Sequence, residues 1–228
     1  SKSEVSKETM NRITAKDSNG NSNNIKEIPK DIEALMKKAE KSIKSQKKKA
    51  STSEEPYFGG GTLSSYKDLE VQNKIPSSFY NLNVEKLFKM GTDLQISDKS
   101  KPTILIYHSH TTESYSLLDV GYYTTSFNQR CKDTAQNMVR VGDELVIWLE
   151  KAGFNVIHDT EIHDTDYNSS YDESKKAIDK YLEQYPTIEI TIDVHRDDIT
   201  YNNGTKVKPT ATINGKKAAR MMIIAGCE

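Results

Sequence analysis

The residues best suited to chemistry in this chain are its five histidines, His108, His110, His158, His163 and His195. Three of them fall in two short texts, Tyr107-His108-Ser109-His110-Thr111-Thr112-Glu113-Ser114-Tyr115 and Asp193-Val194-His195-Arg196-Asp197. His110 and Glu113 make a His-x-x-Glu tetrad, and His195 follows Glu113 by 82 residues. Two imidazoles and a carboxylate are a ligand set that a catalytic zinc takes, with a fourth position open to water. Such a metal brings its bound water to a pKa of about 7 and polarises a carbonyl, which is the chemistry of amide hydrolysis. Asp193 or Asp197 would hold the free ring nitrogen of a ligand histidine. The forked donors of Arg196 would steady a substrate carboxylate or an oxyanion. His108 is the alternate to Glu113, because residues 108 and 110 share a side if a strand continues through them. The competing reading is plain: histidines hydrogen-bonded near strand ends, with no metal. The segment His158-Asp159-Thr160-Glu161-Ile162-His163-Asp164 reads first as a surface loop of paired charges, and second as lining of the same edge. Asp143 and Glu144 stand next to each other on a predicted helix and diverge, which disfavours a paired-carboxylate acid and base.

The apolar pattern around these residues says what must carry them. A continuous run at 103–107 suits a strand buried on both faces, and further strands are predicted at 154–157 and 188–194. Between them the spacing predicts a helix over 133–152, with Leu145, Trp148, Leu149 and Ala152 on one face and Gly153 as its stop. A second helix is predicted over 172–185, with Ala177, Ile178, Tyr181, Leu182 and Tyr185 inward and Pro186 ending it. A turn at Asn202-Asn203-Gly204, an extended piece over 206–213, a turn at Asn214-Gly215 and a last strand over 220–225 complete the pattern. Strands alternating with helices mean βαβ units, so the expected class is α/β, a mostly parallel sheet with helices on both faces. His108, His110 and His195 then sit just beyond strand ends. Ligands in open α/β sheets bind outside those carboxyl ends.

Composition bounds the rest. With 228 residues, a net charge of −1 and 29% charged residues, and a mean hydropathy of −0.73, the chain is too polar to be folded throughout. All eighteen aromatic residues lie from Tyr57 onward. Residues 1–62 are therefore expected to be a polar, largely disordered stalk, with a helix over 31–49 carrying Ile32, Leu35, Met36, Ala39 and Ile43 on a narrow face. That helix is either solvated or docked on a partner or an anionic surface. Residues 51–62, with Gly59-Gly60-Gly61, read as a linker. Residues 63–101 show no clear period and form a poorly defined extension, and 102–228 the catalytic domain. No apolar run reaches the roughly 18 residues of a membrane span. Cys131 and Cys227 read as lone thiols rather than a disulfide framework or a cysteine-rich zinc site. The basic run at Lys47-Lys48-Lys49 has no interleaved aromatic, so nucleic-acid binding is not expected.

Four landmarks, in order over about 120 residues, carry a more specific likeness: His110-Thr111-Thr112-Glu113-Ser114-Tyr115, Val141-Gly142-Asp143-Glu144-Leu145, Asp193-Val194-His195-Arg196-Asp197, and Thr210-Ala211-Thr212-Ile213-Asn214-Gly215 followed by Ala219-Arg220. With them the chain resembles the sporulation stage II protein P family, extracytoplasmic peptidoglycan hydrolases related to zinc-dependent N-acetylmuramoyl-L-alanine amidases. The resemblance implies a zinc amidase/carboxypeptidase-like fold and His110, Glu113 and His195 as zinc ligands. The implied activity cleaves the N-acetylmuramic acid–L-alanine amide, with an additional endopeptidase action on peptide cross-links. The implied role is wall thinning at the engulfing septum, beside a lytic transglycosylase partner, the stage II protein D. Attachment to the membrane would run through an anchor outside this chain. The family pattern continues past Glu228 to a glutamate serving as general acid and base, so the domain is expected to be truncated here. Two other functions stay open: a non-catalytic wall- or partner-binding module of the same fold, and a zinc carboxypeptidase-like enzyme.

Overall fold

The structure, a computed structural model, describes residues 28–55, 62–66, 69–91, 96, 98–213 and 216–219. The chain divides into two compact units, one within residues 1–50 and 96–197 and the other within 51–95 and 198–228.

The first unit holds every histidine. It opens with helix α1 (Lys30–Ile43), in which Ile32, Leu35, Met36, Ala39 and Ile43 are half-buried while their neighbours are exposed. The stripe read from the sequence is therefore the covered one. An ion pair of 3.0 Å between Asp31 and Arg140 ties the start of this helix to the rest of the unit. The helix ends earlier than the spacing predicts. Strand β1 (Lys48–Glu55) follows where the helix was expected to finish in lysines and a linker to begin. Alternating small and polar residues from Ala50 to Ser53 suit a pleat better than a linker. In the second unit β1 continues into a parallel pairing, Thr52 to Glu55 against Lys206 to Pro209.

That second unit holds an antiparallel hairpin of β2 (Thr62–Tyr66) and β3 (Leu69–Asn73). It also holds α2 (Val84–Met90), capped by the Asn83 side chain. All three elements lie in the stretch whose period the sequence did not reveal. In the first unit come β4 (Ile104–Tyr107) and the short β5 (Tyr122–Thr124), whose neighbour Thr125 donates its N–H to the Lys47 carbonyl at 2.9 Å. Then follow α3 (Met138–Lys151), β6 (Val156–His158), a single 3₁₀ turn at Tyr167–Ser169, α4 (Ser170–Gln184) and β7 (Ile190–Asp193). The extended piece over 206–213 is β8 (Lys206–Ile213), which pairs antiparallel with β9 (Lys216–Ala219) in the second unit. The expected turn at Asn214-Gly215, the strand over 220–225, Cys227 and Glu228 lie outside the described residues.

The three strands of the α/β pattern form one parallel sheet in the order β6-β4-β7. Ile104 of β4 faces Val156 on one side and Ile190 on the other, and the last registered pair is Tyr107 with Asp193. Ile104, Leu105 and Ile106 are buried almost completely, as a strand covered on both faces requires. Ile104 and Ile106 pack with Val146 of α3 and with Val156, while Leu145, Leu149, Ile190, Ile192 and Val194 close the edges of that cluster. The first crossover runs from β4 to β6 and the second returns past β4 to β7. Right-handed crossovers in opposite directions put α3 and α4 on opposite faces.

Two local features depart from the spacing argument. Helix α3 starts at Met138 because the Asn137 side chain accepts the Val139 N–H and caps it, and it stops where Gly153 adopts φ 90°, a value glycine takes without strain. Its buried stripe is Met138, Val139, Gly142, Val146 and Ile147, so Trp148, expected inward, is 39% exposed. Gly142 explains the offset. A Cβ there would lie 2.5 Å from His158 Nε2 and 2.8 Å from His108 Nε2, so α3 approaches the sheet edge closely only at this residue. Gly142→Ala is expected to lower stability by about 1–2 kcal/mol, overpacking outweighing alanine's helix preference of about 1 kcal/mol. Urea denaturation checks this, and Gly142→Ala combined with His158→Ala should recover part of the loss.

Candidate active site at the carboxyl edge of the parallel sheet

Strand β4 ends at Tyr107, and residues 108–113 leave it as a buried loop in which His108, Ser109, His110, Thr111, Thr112 and Glu113 are all covered. A buried loop must satisfy its main-chain groups from within, and two carboxylates do much of that here. Asp193, at the end of β7, accepts the Ser109 N–H at 2.9 Å and the Ser109 hydroxyl at 2.6 Å. Asp164 repeats the device one turn later, accepting the Thr112 N–H at 3.0 Å and its hydroxyl at 2.6 Å. Between them Thr111 donates its hydroxyl to the carbonyls of His108 and Glu161 and accepts the His163 N–H. Arg130 completes the second latch, with Nη1 on the Asp164 carboxylate and 3.3 Å from the Thr112 hydroxyl.

The latched loop separates His108 from His110. Because the strand does not continue past Tyr107, the two rings do not share a side. His108 turns inward: its Nδ1–H donates to the Val194 carbonyl at 2.6 Å and its Nε2 lies 2.8 Å from His158 Nε2. Burial pushes its pKa down to about 4, against the pull of that carbonyl. The neutral ring then accepts the His158 Nε2–H, and His158 Nδ1 stands 3.2 Å from Asp143, off the hydrogen-bond direction. Both nitrogens of His108 are thus engaged.

His110, Glu113 and His195 meet instead. The imidazoles of His110 and His195 cross at near right angles, 5.7 Å between centroids, and His195 Nδ1 is 3.7 Å from Glu113 Oε2. Glu113 also accepts the Arg196 N–H at 2.9 Å. Burial alone would raise the Glu113 carboxyl, but the His195 ring and this N–H hold it below the usual carboxylate range. His195 moves the opposite way, raised by its carboxylate partner despite partial burial. His110 Nδ1 is buried with no hydrogen-bond partner, while its Nε2 lies 3.3 Å from the Tyr171 hydroxyl. An orphaned imidazole nitrogen beside a second imidazole and an ionised carboxylate fits a divalent metal of the zinc type. Among the described residues no group of three His, Cys, Asp or Glu side chains is placed so as to hold a metal ion as it stands.

The other residues singled out from the sequence fall into place around this trio. Asp193 and Asp197 were candidates to orient a ligand histidine; Asp193 has both oxygens on Ser109, and Asp197 is exposed with its carbonyl 3.3 Å from Arg196 Nη1. The Arg196 fork, set aside for substrate or an oxyanion, is taken up by main-chain carbonyls: Nε on Ser114, Nη2 on Gln129 and Nη1 on Asp197. The 158–164 segment is not a surface loop of paired charges. His158, Asp159, His163 and Asp164 are all buried, because Asp159 N–H continues the sheet onto the Ile106 carbonyl and each acid finds an internal partner. His163 Nε2 is 2.7 Å from Asp159 Oδ2, and this pairing raises its pKa.

Three residues at the site, Tyr167, Tyr171 and Arg130, escaped the sequence reading, and Asp164 was named there only as part of a charged segment. Tyr167 stacks on the His110 ring at 5.1 Å, Tyr171 meets it edge-on at 5.1 Å, and Arg130 and Asp164 form the second latch. The signal for the tyrosines was Tyr167-Asn168-Ser169-Ser170-Tyr171, two aromatics one turn apart at a helix start that carries little other apolar surface.

A family model described as Stage II sporulation protein P matches residues 2–228. Among curated proteins, the Stage II sporulation protein P of Bacillus subtilis (strain 168) is 28% identical over 187 residues, which is 74% of this chain and 44% of that protein. The chain thus spans under half the length of that relative. No solved structure matches it.

Asp164→Ala removes the acceptors of Thr112 and Arg130 together and is expected to cost about 2–4 kcal/mol in urea denaturation. Thr112→Val, which keeps the main-chain bond, should cost about 1 kcal/mol. For His163, a raised folded pKa means that its ion pair stabilises fully below the unfolded value of about 6.5 and is lost as pH climbs through the folded one. Stability of the parent should therefore decline, relative to His163→Gln, as pH rises above about 6.5, whereas the variant's profile is flatter.

Proposed function

We propose that this chain, which belongs to the stage II sporulation protein P family, is the hydrolytic part of a peptidoglycan amidase acting on the N-acetylmuramic acid–L-alanine bond. The observation that carries the reading is the convergence of His110, Glu113 and His195 at the end of β4 and β7, where the strand order changes direction. Family membership places the protein in sporulation. Septal wall thinning on the extracytoplasmic side, beside a lytic transglycosylase, is the role the reading gives it. No helix among the described residues is long and apolar enough to cross a membrane.

His110, through its orphaned Nδ1, His195 and Glu113 would hold zinc. When bound there, zinc supplies a water of pKa about 7 and a Lewis acid for the amide carbonyl. The chain's own residues do the rest. Glu113 stays ionised because His195 and the Arg196 N–H stabilise its charge. Arg196 ties Ser114 and Gln129 to the His195 loop, so the two ends of the ligand set keep their spacing. Buried Ser109 and Thr112, latched by acids, fix His110 between them and limit the reorganisation that catalysis would otherwise require. Tyr167 and Tyr171 stand beside His110 and keep bulk water off one side of it.

The test is metal content with activity. Purified chain is expected to carry about one zinc and to release free stem peptide from sacculi. His110→Ala and His195→Ala should each lose the metal and lower release by at least about 10³-fold, with near-parental circular dichroism. Retention of stoichiometric zinc by both variants would remove this reading.

A further inference from the structure

A strip of side chains leads away from His110 along the same edge. The Tyr167 ring lies on the His110 imidazole, 5.1 Å between centroids and 13° from parallel, and the Arg130 guanidinium lies over the Tyr167 ring at 4.8 Å. Tyr167 is 59% exposed and Tyr171, edge-on to the His110 ring, is 61% exposed. Large exposed aromatics packed on a buried imidazole are not expected of a solvated surface. Arg130 is anchored through one nitrogen: its Nη1 meets Asp164 and Thr112. Its Nε and Nη2 make no hydrogen bond among the described residues, and its side chain is 37% exposed. A guanidinium held over a ring through one nitrogen, with Nε and Nη2 uncommitted and the side chain part-exposed, is a form that takes a carboxylate in two parallel hydrogen bonds.

We propose that Arg130, on its Tyr167 ledge, is a specificity-determining subsite for a carboxylate of the peptide substrate, and that Tyr167 and Tyr171 are the wall against which that peptide lies. The stacked distances put the guanidinium no more than about 10 Å from the His110 ring. An extended chain advances about 3.3–3.6 Å per residue, so the recognised carboxylate sits two to three residues from the bond being cut. This inference rests on the wall-hydrolase reading for the identity of the peptide: the second residue of a stem peptide joined through its side-chain carboxyl leaves such an α-carboxylate free. The ion pair with Asp164 keeps Arg130 from moving toward the ligand. It also moderates the attraction, so selectivity of about tenfold is expected rather than the hundredfold of an unpaired arginine.

The experiment compares two probes that differ in one group: N-acetylmuramyl-L-alanyl-D-glutamate and its isoglutamine form, in which the α-carboxylate is a carboxamide. Binding to the full chain is measured by calorimetry with a chelator present, so that neither probe is consumed. The parent is expected to bind the acid form about tenfold more tightly. Arg130→Gln should bind both forms alike and keep affinity for the carboxamide within about twofold, whereas Tyr167→Leu should weaken both. If Arg130→Gln does not fold, Arg130→Gln with Asp164→Asn removes both charges of the pair and gives the same reading. A purely structural Arg130 would lower the two affinities equally. That outcome, equal affinities in the parent, or no binding of either probe would each overturn the subsite. Stem-peptide release from sacculi with zinc is scored separately. Discrimination without release leaves the subsite standing and removes the hydrolase, and release without discrimination does the reverse.

Discussion

The site depends on how a loop can be buried without stranding its own main chain. Residues 108–113 leave β4 at a point where no neighbouring strand continues the ladder, yet all six are covered. Asp193 and Asp164 supply the acceptors that the ladder no longer provides, each taking one N–H and one hydroxyl. Charge-assisted bonds of this kind are roughly twice as strong as neutral ones, and they act at Ser109, immediately before His110, and at Thr112, immediately before Glu113. The same bonds that fold the loop therefore fix the directions of His110 and Glu113.

Topology decides where such a loop is useful. With β4 central and its two crossovers running in opposite directions, the helices part to opposite faces and open a crevice beyond the ends of β4 and β7. The first text, with His110 and Glu113, leaves one of these strands, and the second, with His195, leaves the other. Their separation in sequence spans two helices and the strands β5, β6 and β7, and their proximity in space follows from the shared register of Tyr107 with Asp193.

The parallel sheet and both of its helices were legible because each rests on a local signal: a continuous apolar run, a 3.6-residue stripe, a stop at Gly153. The parts that were not legible rest on long-range pairing. A strand at Lys48–Glu55 has little apolar surface and takes its conformation from a β8 partner 154 residues away at the Thr52–Lys206 pair. The acids and histidines of 158–164 look like a solvated loop until Thr111, Thr112 and Arg130, from another part of the chain, are brought to them. His108 was ambiguous for a similar reason. Its direction depends on where β4 stops, and a one-residue difference there reverses which side a ring faces.

At Gly142, the missing methyl has a consequence for the helix as a whole. The imidazoles of His158, at the end of β6, and His108, in the loop after β4, press against bare backbone there, so α3 is indexed against the sheet much as a notch sets a key. Any turn or slide that brought a side chain to the place of Gly142 would drive its Cβ into those rings. The rotation of the helix is thus set at the carboxyl edge of the sheet, well before the aliphatic layer further down has any choice of its own.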